Sequence, residues 1–213
     1  MAAVSKLSLE EKIRNLNEDG IDLERKIIYL WGELEENLGT ILRVKSSILR
    51  LFWETEKKTE LGELTLDISS YGGPIYSVYG AIDFYDELKT QKTLVNTKAQ
   101  GVCMSAATVL LCGGTGVRTA TKRCKLMLHD IQTESMGGTA TQVKEYAKAL
   151  DKEQKEMFSF YVQFSQMRKY KKINEKKVQE ETKKWMSKYA SNSIDHYISS
   201  SEALELRLID KII

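Results

Sequence analysis

One stretch near the middle of the chain constrains the fold more than any other. Residues 93–97 are rich in β-branched side chains, which predicts a strand, and residues 106–111 form an apolar run that predicts a buried helix. Ser105 lies in the connection between them and is flanked by small residues. A strand, a tight turn and a helix would lift the Ser105 hydroxyl to the edge of a sheet, beside the first amide groups of the helix. Acyl transfer needs this geometry, so the sequence predicts that Ser105 is a nucleophile.

The order of the predicted elements indicates an α/β fold. Strands alternate with helices, and this alternation favours a largely parallel sheet. The sequence has one proline and no internal repeat. It therefore predicts an N-terminal arm at 1–22 and one domain at 23–213. The predicted strands lie at 26–32, 63–69, 93–97, 125–129 and 209–213, and the predicted helices lie at 33–56, 77–89, 105–112, 141–188 and 201–206.

Composition narrows the class of protein. The 213 residues carry a net charge of only +2, which argues against a surface dedicated to nucleic acid. No apolar run approaches the roughly 20 residues that span a bilayer, and the N-terminus lacks the apolar core of a signal peptide. Cys103, Cys112 and Cys124 have no metal-ligand spacing and are typical of small core residues in a reducing compartment. We therefore expect a soluble, cytoplasmic protein without a metal, a membrane or a nucleic-acid partner.

A serine hydroxyl is a weak nucleophile until a base takes its proton, and a third group must orient that base. The chain has two histidines, His129 at the end of a predicted strand and His196 near the C-terminus, and one of them must be the base. Asp130 follows His129 directly, but neighbouring side chains on a strand point to opposite faces, which makes Asp130 a poor orienting group. Asp195, which is distant from His129 in sequence, is the better candidate.

The oxyanion that forms in acyl transfer needs backbone N–H donors beside the nucleophile. Gly72 and Gly73 follow a predicted strand, and residues without a side chain allow a ligand to approach the backbone closely. The N–H group of Ala106, directly after Ser105, can supply a second donor. The sequence thus contains candidates for each part of a serine-hydrolase site.

Six segments of the chain also occur in an informative order: ERKIIYLWGELEE, LDISSYGGPIYSVYGAIDFYDEL, GVCMSAAT, KLMLHD, GGTATQV and IDHYISSSEALELRLIDKII. In this order they resemble the proteolytic subunit of Clp-type proteases, the ClpP family of serine peptidases. The resemblance extends from Glu24 to the C-terminus. No single segment is decisive, but together they are specific.

The resemblance implies a crotonase/ClpP-like fold with repeated strand–helix units and a protruding helical handle at about 131–188. It implies a serine endopeptidase that forms stacked heptameric rings around a chamber, and an apolar face at 34–53 also favours self-association. The implied substrates are unfolded proteins and peptides, and ATP is used by a partner AAA+ unfoldase, so this chain needs no cofactor. The residues to which the family's roles would carry over are Ser105 as nucleophile, His129 as base, Asp195 as orienting acid, Gly73 and Ala106 as oxyanion donors, and Gly137 and Gly138 as the site that binds substrate backbone as an added strand.

The chain departs from the family pattern near the expected site. Tyr71 stands at the family's proline before the paired glycines, Asp130 and Ile131 replace Gln-Pro after the histidine, and Ile194 replaces the arginine before the aspartate. The helical segment between the histidine and the aspartate is also longer than usual. Two alternatives therefore stay open. One is a non-catalytic or virion-assembly subunit of a ring, and the other is a crotonase-type acyl-CoA enzyme, which does not need the serine–histidine–aspartate set.

Overall fold

The computed structural model describes residues 7–34, 62–90, 92–133, 137–167, 174–190 and 194–213. Strands and helices alternate along these ranges, and the predicted α/β fold is confirmed. The helices are α1 (Leu9–Arg14), which continues into a π-helical turn (Asn15–Asp19), α2 (Ile75–Thr90), α3 (Ala106–Gly113), α4 (Ala140–Met167), α5 (Glu175–Tyr189) and α6 (Ser200–Glu205). The strands are β1 (Ile21–Asp22), β2 (Ile27–Glu33), β3 (Glu63–Gly72), β4 (Leu94–Met104), β5 (Arg118–Ala120), β6 (Lys125–Leu128), β7 (His196–Ile198) and β8 (Lys211–Ile212).

The described strands form one mixed sheet with a parallel centre. β2, β3, β4, β5 and β8 lie side by side in that order and run parallel, and β1 pairs antiparallel with β2 at one edge. β6 also pairs in parallel with β4, and β7 pairs antiparallel with β6. Because parallel strands end at the same edge of a sheet, the residues that follow β3, β4 and β6 come close together.

β4 changes its partner halfway along its length. Residues 97–99 pair with β5, and residues 102–104 pair with β6. Gly101 lies between the two halves with φ 67°, a conformation that glycine adopts without steric cost. The predicted end of this strand at residue 97 is wrong, because the strand continues past that point and changes partner at Gly101. The strand continues to Met104, and Ser105 alone forms the turn.

The helix after that turn, α3, lies at the centre of the fold. Every one of its residues is buried, as its uniformly apolar sequence predicts. It packs against α2, α4 and the central strands β3 and β4. The Tyr85 hydroxyl donates to the Leu110 carbonyl (3.3 Å), and the Thr97 hydroxyl donates to the Leu111 carbonyl (2.7 Å). These bonds hold α3, and with it the turn at Ser105, against the sheet and α2.

Most of the other predicted elements are confirmed. β2, β3, β6, β8, α2 and α6 lie where the sequence places them, with ends that differ by a few residues, and α4 and α5 occupy the long region predicted to be helical. The sequence does not predict β5 or β7, because each has only three residues and depends on the strands beside it. The helix predicted at 33–56, with its apolar face, lies outside the described residues except for Glu33, which ends β2, and Leu34.

A buried ion pair connects the C-terminal segment to the centre of the fold. Arg118 in β5 is 1% exposed, and its Nη2 and Nε atoms lie 2.8 and 3.1 Å from the two carboxylate oxygens of Asp210. Its Nη1 atom donates to the carbonyls of Cys112 (3.1 Å) and Phe164 (3.3 Å). One side chain therefore joins α3, α4 and the segment before β8.

Replacing Arg118 by methionine is expected to lower the free energy of unfolding by about 3–5 kcal/mol, because it removes the guanidinium that pairs with the Asp210 carboxylate and donates to two carbonyls. Urea unfolding at one fixed protein concentration measures the change. Lys155→Met is the matched control, because Lys155 pairs with Asp151 where both side chains are more than half exposed, and such pairs contribute about 0–1 kcal/mol. Equal losses in the two variants would contradict the structural role of Arg118.

Candidate active site

Ser105 occupies a sharp turn between the last residue of β4 and the first residue of α3. Its backbone has φ 53° and ψ −131°, and residues other than glycine rarely adopt a positive φ. Thr108 supports the turn: its N–H group donates to the Ser105 carbonyl (2.9 Å), and its hydroxyl lies 2.9 Å from the Cys103 carbonyl and 3.1 Å from the Met127 carbonyl. The Ser105 N–H group donates to the Met127 carbonyl (3.0 Å). The surrounding bonds therefore hold a strained turn that presents the serine side chain.

His129 follows β6 directly, and its Nε2 atom lies 2.7 Å from the Oγ atom of Ser105. The parallel pairing of β4 with β6 produces this contact, because Met104 is opposite Met127 and both strands end at the same edge of the sheet. A base must lie within hydrogen-bonding distance of the proton that it removes, and 2.7 Å meets that condition. The structure thus brings together the residues predicted as nucleophile and base.

Burial lowers the pKa of His129, and the negative charges of Asp195 and Asp130 oppose that shift. A histidine whose pKa lies below its ordinary value is neutral at pH 7. In the neutral ring, Nε2 can accept a proton when Nδ1 carries the ring hydrogen. The electrostatic surroundings therefore keep His129 in the form that a general base requires.

Asp195 lines the same cleft as His129, but no hydrogen bond joins the two. Asp195 directly precedes β7, and His196 at the start of β7 is opposite Leu128 in the antiparallel pairing with β6. This register brings Asp195 to the neighbourhood of His129. Within the described part of the chain, the Nδ1 atom of His129 is buried and has no hydrogen-bond partner. The role of Asp195 stays a prediction, and it requires the carboxylate to come closer to Nδ1.

Gly72, at the end of β3, lies so close to the nucleophile turn that no side chain fits there. An added Cβ atom would lie 2.7 Å from the Cβ atom of Ser105 and 2.8 Å from the carbonyl oxygen of Met104, at a backbone φ of +107°. The Gly72 carbonyl accepts a hydrogen bond from the Leu34 N–H group (2.8 Å), which anchors this point to the end of β2. Gly72 therefore forms the wall against which the nucleophile turn packs.

The two predicted oxyanion donors, Gly73 and Ala106, line the cleft together with Ser105. Ala106 is the first residue of α3, so its N–H group has no acceptor within the helix. A side chain at Gly73 would collide with the Leu34 carbonyl. Both amides thus belong to the wall of the cleft beside the nucleophile, and their role as donors stays a prediction.

Gly72→Ala is expected to displace the turn and to slow the reaction of Ser105 with a serine-directed fluorophosphonate by about 100-fold, since a displacement of about 1 Å can have that cost. Gly32→Ala is the matched control, because Gly32 also has a positive φ (+98°) but open space around an added Cβ atom. The rate of labelling is measured for both variants by mass spectrometry. Equal rates in Gly72→Ala and the unmodified protein would show that the turn does not depend on this contact.

The cleft has a volume of about 900 Å³. Tyrosines form part of its wall and are held by polar contacts. The Tyr76 hydroxyl donates to the Glu153 carboxylate (3.0 Å), and the hydroxyl of Tyr146 lies 3.0 Å from that of Thr133. A cleft of this size has room for several residues of an extended peptide.

Asp130 also lines the cleft, and burial raises its pKa. The sequence argument against Asp130 assumed that it continues a strand with His129. β6 ends at Leu128, so both residues lie beyond the strand and the alternation rule does not apply to them. The argument from strand geometry is therefore wrong, although Asp195 remains the predicted orienting acid.

Two supporting residues were missed by sequence reasoning, Thr108 and Tyr161. The Tyr161 hydroxyl donates to the Ser105 carbonyl (3.3 Å), but Tyr161 is on α4 and has no local signal near the serine. Thr108 could have been noticed, because it is a polar residue three positions after the serine in an otherwise apolar run.

Gly137 and Gly138 precede α4, are exposed and are not among the described residues that line the cleft. Their predicted binding of substrate stays a prediction.

The fold and the site define an α/β protein with a serine–histidine pair of the kind that serine hydrolases use. A sequence model of the Clp protease family matches residues 21–213. The chain is also 26% identical over 192 residues to "ATP-dependent Clp protease proteolytic subunit 2" of Bifidobacterium longum (strain NCC 2705), a match that covers 90% of this chain and 80% of that protein. The chain belongs to the Clp protease family, and the resemblance seen in the sequence is confirmed.

The helices that the structure describes include none that is both long enough and apolar enough to cross a membrane.

Proposed function

We propose that this chain is a serine endopeptidase in which Ser105 is the nucleophile and His129 is the general base. The observation that carries the proposal is the 2.7 Å contact between Ser105 Oγ and His129 Nε2. Two further findings support it. The contact lies in a cleft of about 900 Å³, and the family match points to a peptide bond as the bond that is cleaved.

Hydrolysis through this pair takes two steps. His129 Nε2 takes the proton of Ser105 as Oγ attacks the peptide carbonyl carbon, and the resulting imidazolium gives that proton to the leaving amine. Water, activated by the same nitrogen, then attacks the acyl ester and releases the second product. The lowered pKa of His129 keeps the ring neutral before each proton is removed.

The amides of Gly73 and Ala106 are proposed to hold the oxyanion, and one such donor is worth about 3–4 kcal/mol of transition-state stabilisation. Asp195 is proposed to accept the Nδ1 hydrogen of His129 and so to fix the ring's tautomer. Nδ1 has no partner among the residues that the structure describes, which supports the view that assembly with other subunits or with a partner completes the alignment. Gly137 and Gly138 are proposed to bind the substrate backbone as an added strand.

The proposal also covers the oligomer that the chain forms and the way in which substrates reach it. We infer a homo-oligomer of stacked heptameric rings that receives unfolded chains from an AAA+ unfoldase. The name of the Bifidobacterium relative, an ATP-dependent proteolytic subunit, supports membership of a larger complex that uses ATP. ATP is then used by the unfoldase, and this chain works without a cofactor. Cys103, Cys112 and Cys124 are buried thiols, which fits a cytoplasmic location.

A fluorophosphonate probe tests the proposal, because it reacts with activated serines. We expect mass spectrometry to find the label on Ser105, with no label in Ser105→Ala and a loss of labelling in His129→Ala. Cleavage of a short fluorogenic peptide by the same preparations provides the second measurement. An oligomer that neither labels nor cleaves, with or without a partner unfoldase, would contradict the proposal.

One observation favours a second candidate, a ring subunit without activity of its own. Among the described residues, the buried Nδ1 atom of His129 has no hydrogen-bond partner, so the orienting contact of a triad is not made there. The labelling experiment separates the two candidates. A crotonase-type acyl-CoA enzyme has no use for the Ser105–His129 contact, and thermal stabilisation by CoA would be the sign of it.

A further inference from the structure

A series of four rings connects the nucleophile turn with the segment that carries Asp195. The rings are Tyr161 on α4, Trp185 and Tyr189 on α5, and His196 at the start of β7, and we name them the ring series. Their centroids are 6.2 Å, 5.3 Å and 5.7 Å apart in that order, with interplanar angles of 14°, 55° and 87°. These are the separations of aromatic pairs in direct contact.

At one end, the ring series holds the backbone of the nucleophile. Tyr161 is 1% exposed, and its hydroxyl donates to the Ser105 carbonyl at 3.3 Å. Burial raises the pKa of Tyr161 well above its ordinary value, so the hydroxyl keeps its proton at any pH at which the protein is assayed. Tyr161 is thus a permanent donor to the turn, and any shift of α4 is transmitted to it.

At the other end, the ring series holds the residue next to Asp195. His196 packs edge-on against Tyr189, which is 5% exposed. The Nε2 atom of His196 is buried and has no hydrogen-bond partner within the described residues, so packing and the pairing of β7 with β6 locate this ring. Asp195 precedes His196 directly, and its position follows from that of the ring.

None of the four rings is among the described residues that line the cleft, so they can act only through the residues that do. The missing contact in the site is the one between Asp195 and the Nδ1 atom of His129. We propose that the ring series positions Asp195 relative to the Ser105–His129 pair, and that Trp185 is its central positioning residue. This inference rests on the proposed peptidase function.

Trp185→Ala removes the ring that joins Tyr161 to Tyr189. With a short fluorogenic peptide we expect kcat to fall at least about tenfold with KM nearly unchanged, because displaced catalytic groups reduce the rate of the chemical step. We also expect the acidic limb of the pH–rate profile to move to lower pH. The charge of Asp195 raises the pKa of His129, and a displaced Asp195 no longer does so. Trp185→Phe retains a ring, so we expect its kcat and the position of its acidic limb to be close to those of the unmodified protein.

The acidic limb reports on Asp195 because, of the acidic residues that line the cleft with His129, it is the one that directly adjoins a member of the ring series. Asp130 lies in the loop of His129 itself, while Glu33 at the end of β2 and Glu153 on α4 line the same cleft. Tyr71, Tyr76 and Tyr146 also line the cleft, and His196 on β7 is opposite Leu128.

Phe160→Ala is the matched control. Phe160 is a partly buried ring on α4 that stacks on Phe164 (5.9 Å, 10°) and stands outside the ring series. Its loss is expected to lower the thermal midpoint without moving the acidic limb. Should Trp185→Ala fail to fold, Trp185→Leu takes its place, because it fills more of the space without a ring, and the same movement of the limb is expected.

Tyr161→Phe tests the other end of the ring series, since it removes one hydroxyl and keeps the ring. We expect a lower kcat with the acidic limb in place, because only the Ser105 carbonyl loses a donor. Trp185→Ala could also keep its kcat and the position of its acidic limb while Ser105 still labels. That result would overturn the positioning role of the ring series and leave the peptidase proposal standing. An unmodified protein that never labels at Ser105 would overturn both.

Discussion

His129→Ala is expected to lower kcat for peptide hydrolysis by on the order of 10⁶, while the oligomer stays intact. The loss is this large because Ser105 has its Oγ atom 2.7 Å from Nε2 and no other base is in contact with it among the described residues. Steady-state hydrolysis of a fluorogenic peptide measures the rate, and size-exclusion chromatography with light scattering measures the assembly. Rates close to those of the unmodified protein would show that the base is a different residue.

The double variant Ser105→Ala/His129→Ala provides the control for this prediction. Residues that act as one unit give losses that do not add, so the double variant is expected to be no slower than Ser105→Ala alone. The unmodified protein should also lose activity as the pH falls through the pKa of His129, which burial lowers below its ordinary value. An acidic limb above about 6.5, the ordinary pKa of histidine, would contradict the described surroundings of the ring.

Asp195→Asn is expected to lower kcat by on the order of 10⁴ while labelling of Ser105 continues at a reduced rate. The amide occupies the same space as the carboxylate but cannot stabilise the imidazolium that forms when His129 takes the serine proton. Because the charge of Asp195 raises the pKa of His129, its removal should move the acidic limb of the pH–rate profile to lower pH. Unchanged turnover would exclude Asp195 as the orienting acid.

Asp130→Asn is the matched control, because Asp130 lines the same cleft and its charge also raises the pKa of His129. It should move the limb in the same direction with a much smaller loss of kcat, since its carboxylate is not proposed to accept the Nδ1 hydrogen. A larger loss in Asp130→Asn than in Asp195→Asn would exchange the roles of the two residues.

The nucleophile turn could be predicted because its signals are local. A β-branched run, small residues and an apolar helix lie within about one supersecondary unit, and each depends on neighbours a few residues away. The predicted end of the strand before that turn, at residue 97, failed for a reason that is not local. Whether a glycine ends a strand or allows it to change partner depends on which strands lie beside it, and here β5 and β6 share β4.

The candidate site also has a part that the sequence could predict and a part that it could not. Ser105, His129 and Asp195 could be selected from the sequence, because hydroxyl, imidazole and carboxylate have distinct chemistry and the family motifs place them in order. Their distances could not be predicted, since residues as far apart in sequence as His129 and Asp195 are brought to the same neighbourhood by the pairing of β6 with β7. A sequence pattern does not specify positions finely enough to decide whether a carboxylate lies within hydrogen-bonding distance of Nδ1.

The amino-acid sequence by itself determined the α/β class, the small-residue turn that carries Ser105, and the family to which the chain belongs. These follow from periodicity, residue size and the order of motifs along the chain. Only the tertiary structure decided that Ser105 and His129 are in contact, that Gly72 must lack a side chain, and that Tyr161 holds the turn from a distant helix. The reason is that these contacts join residues far apart in sequence, whose separation is set by sheet register and helix packing.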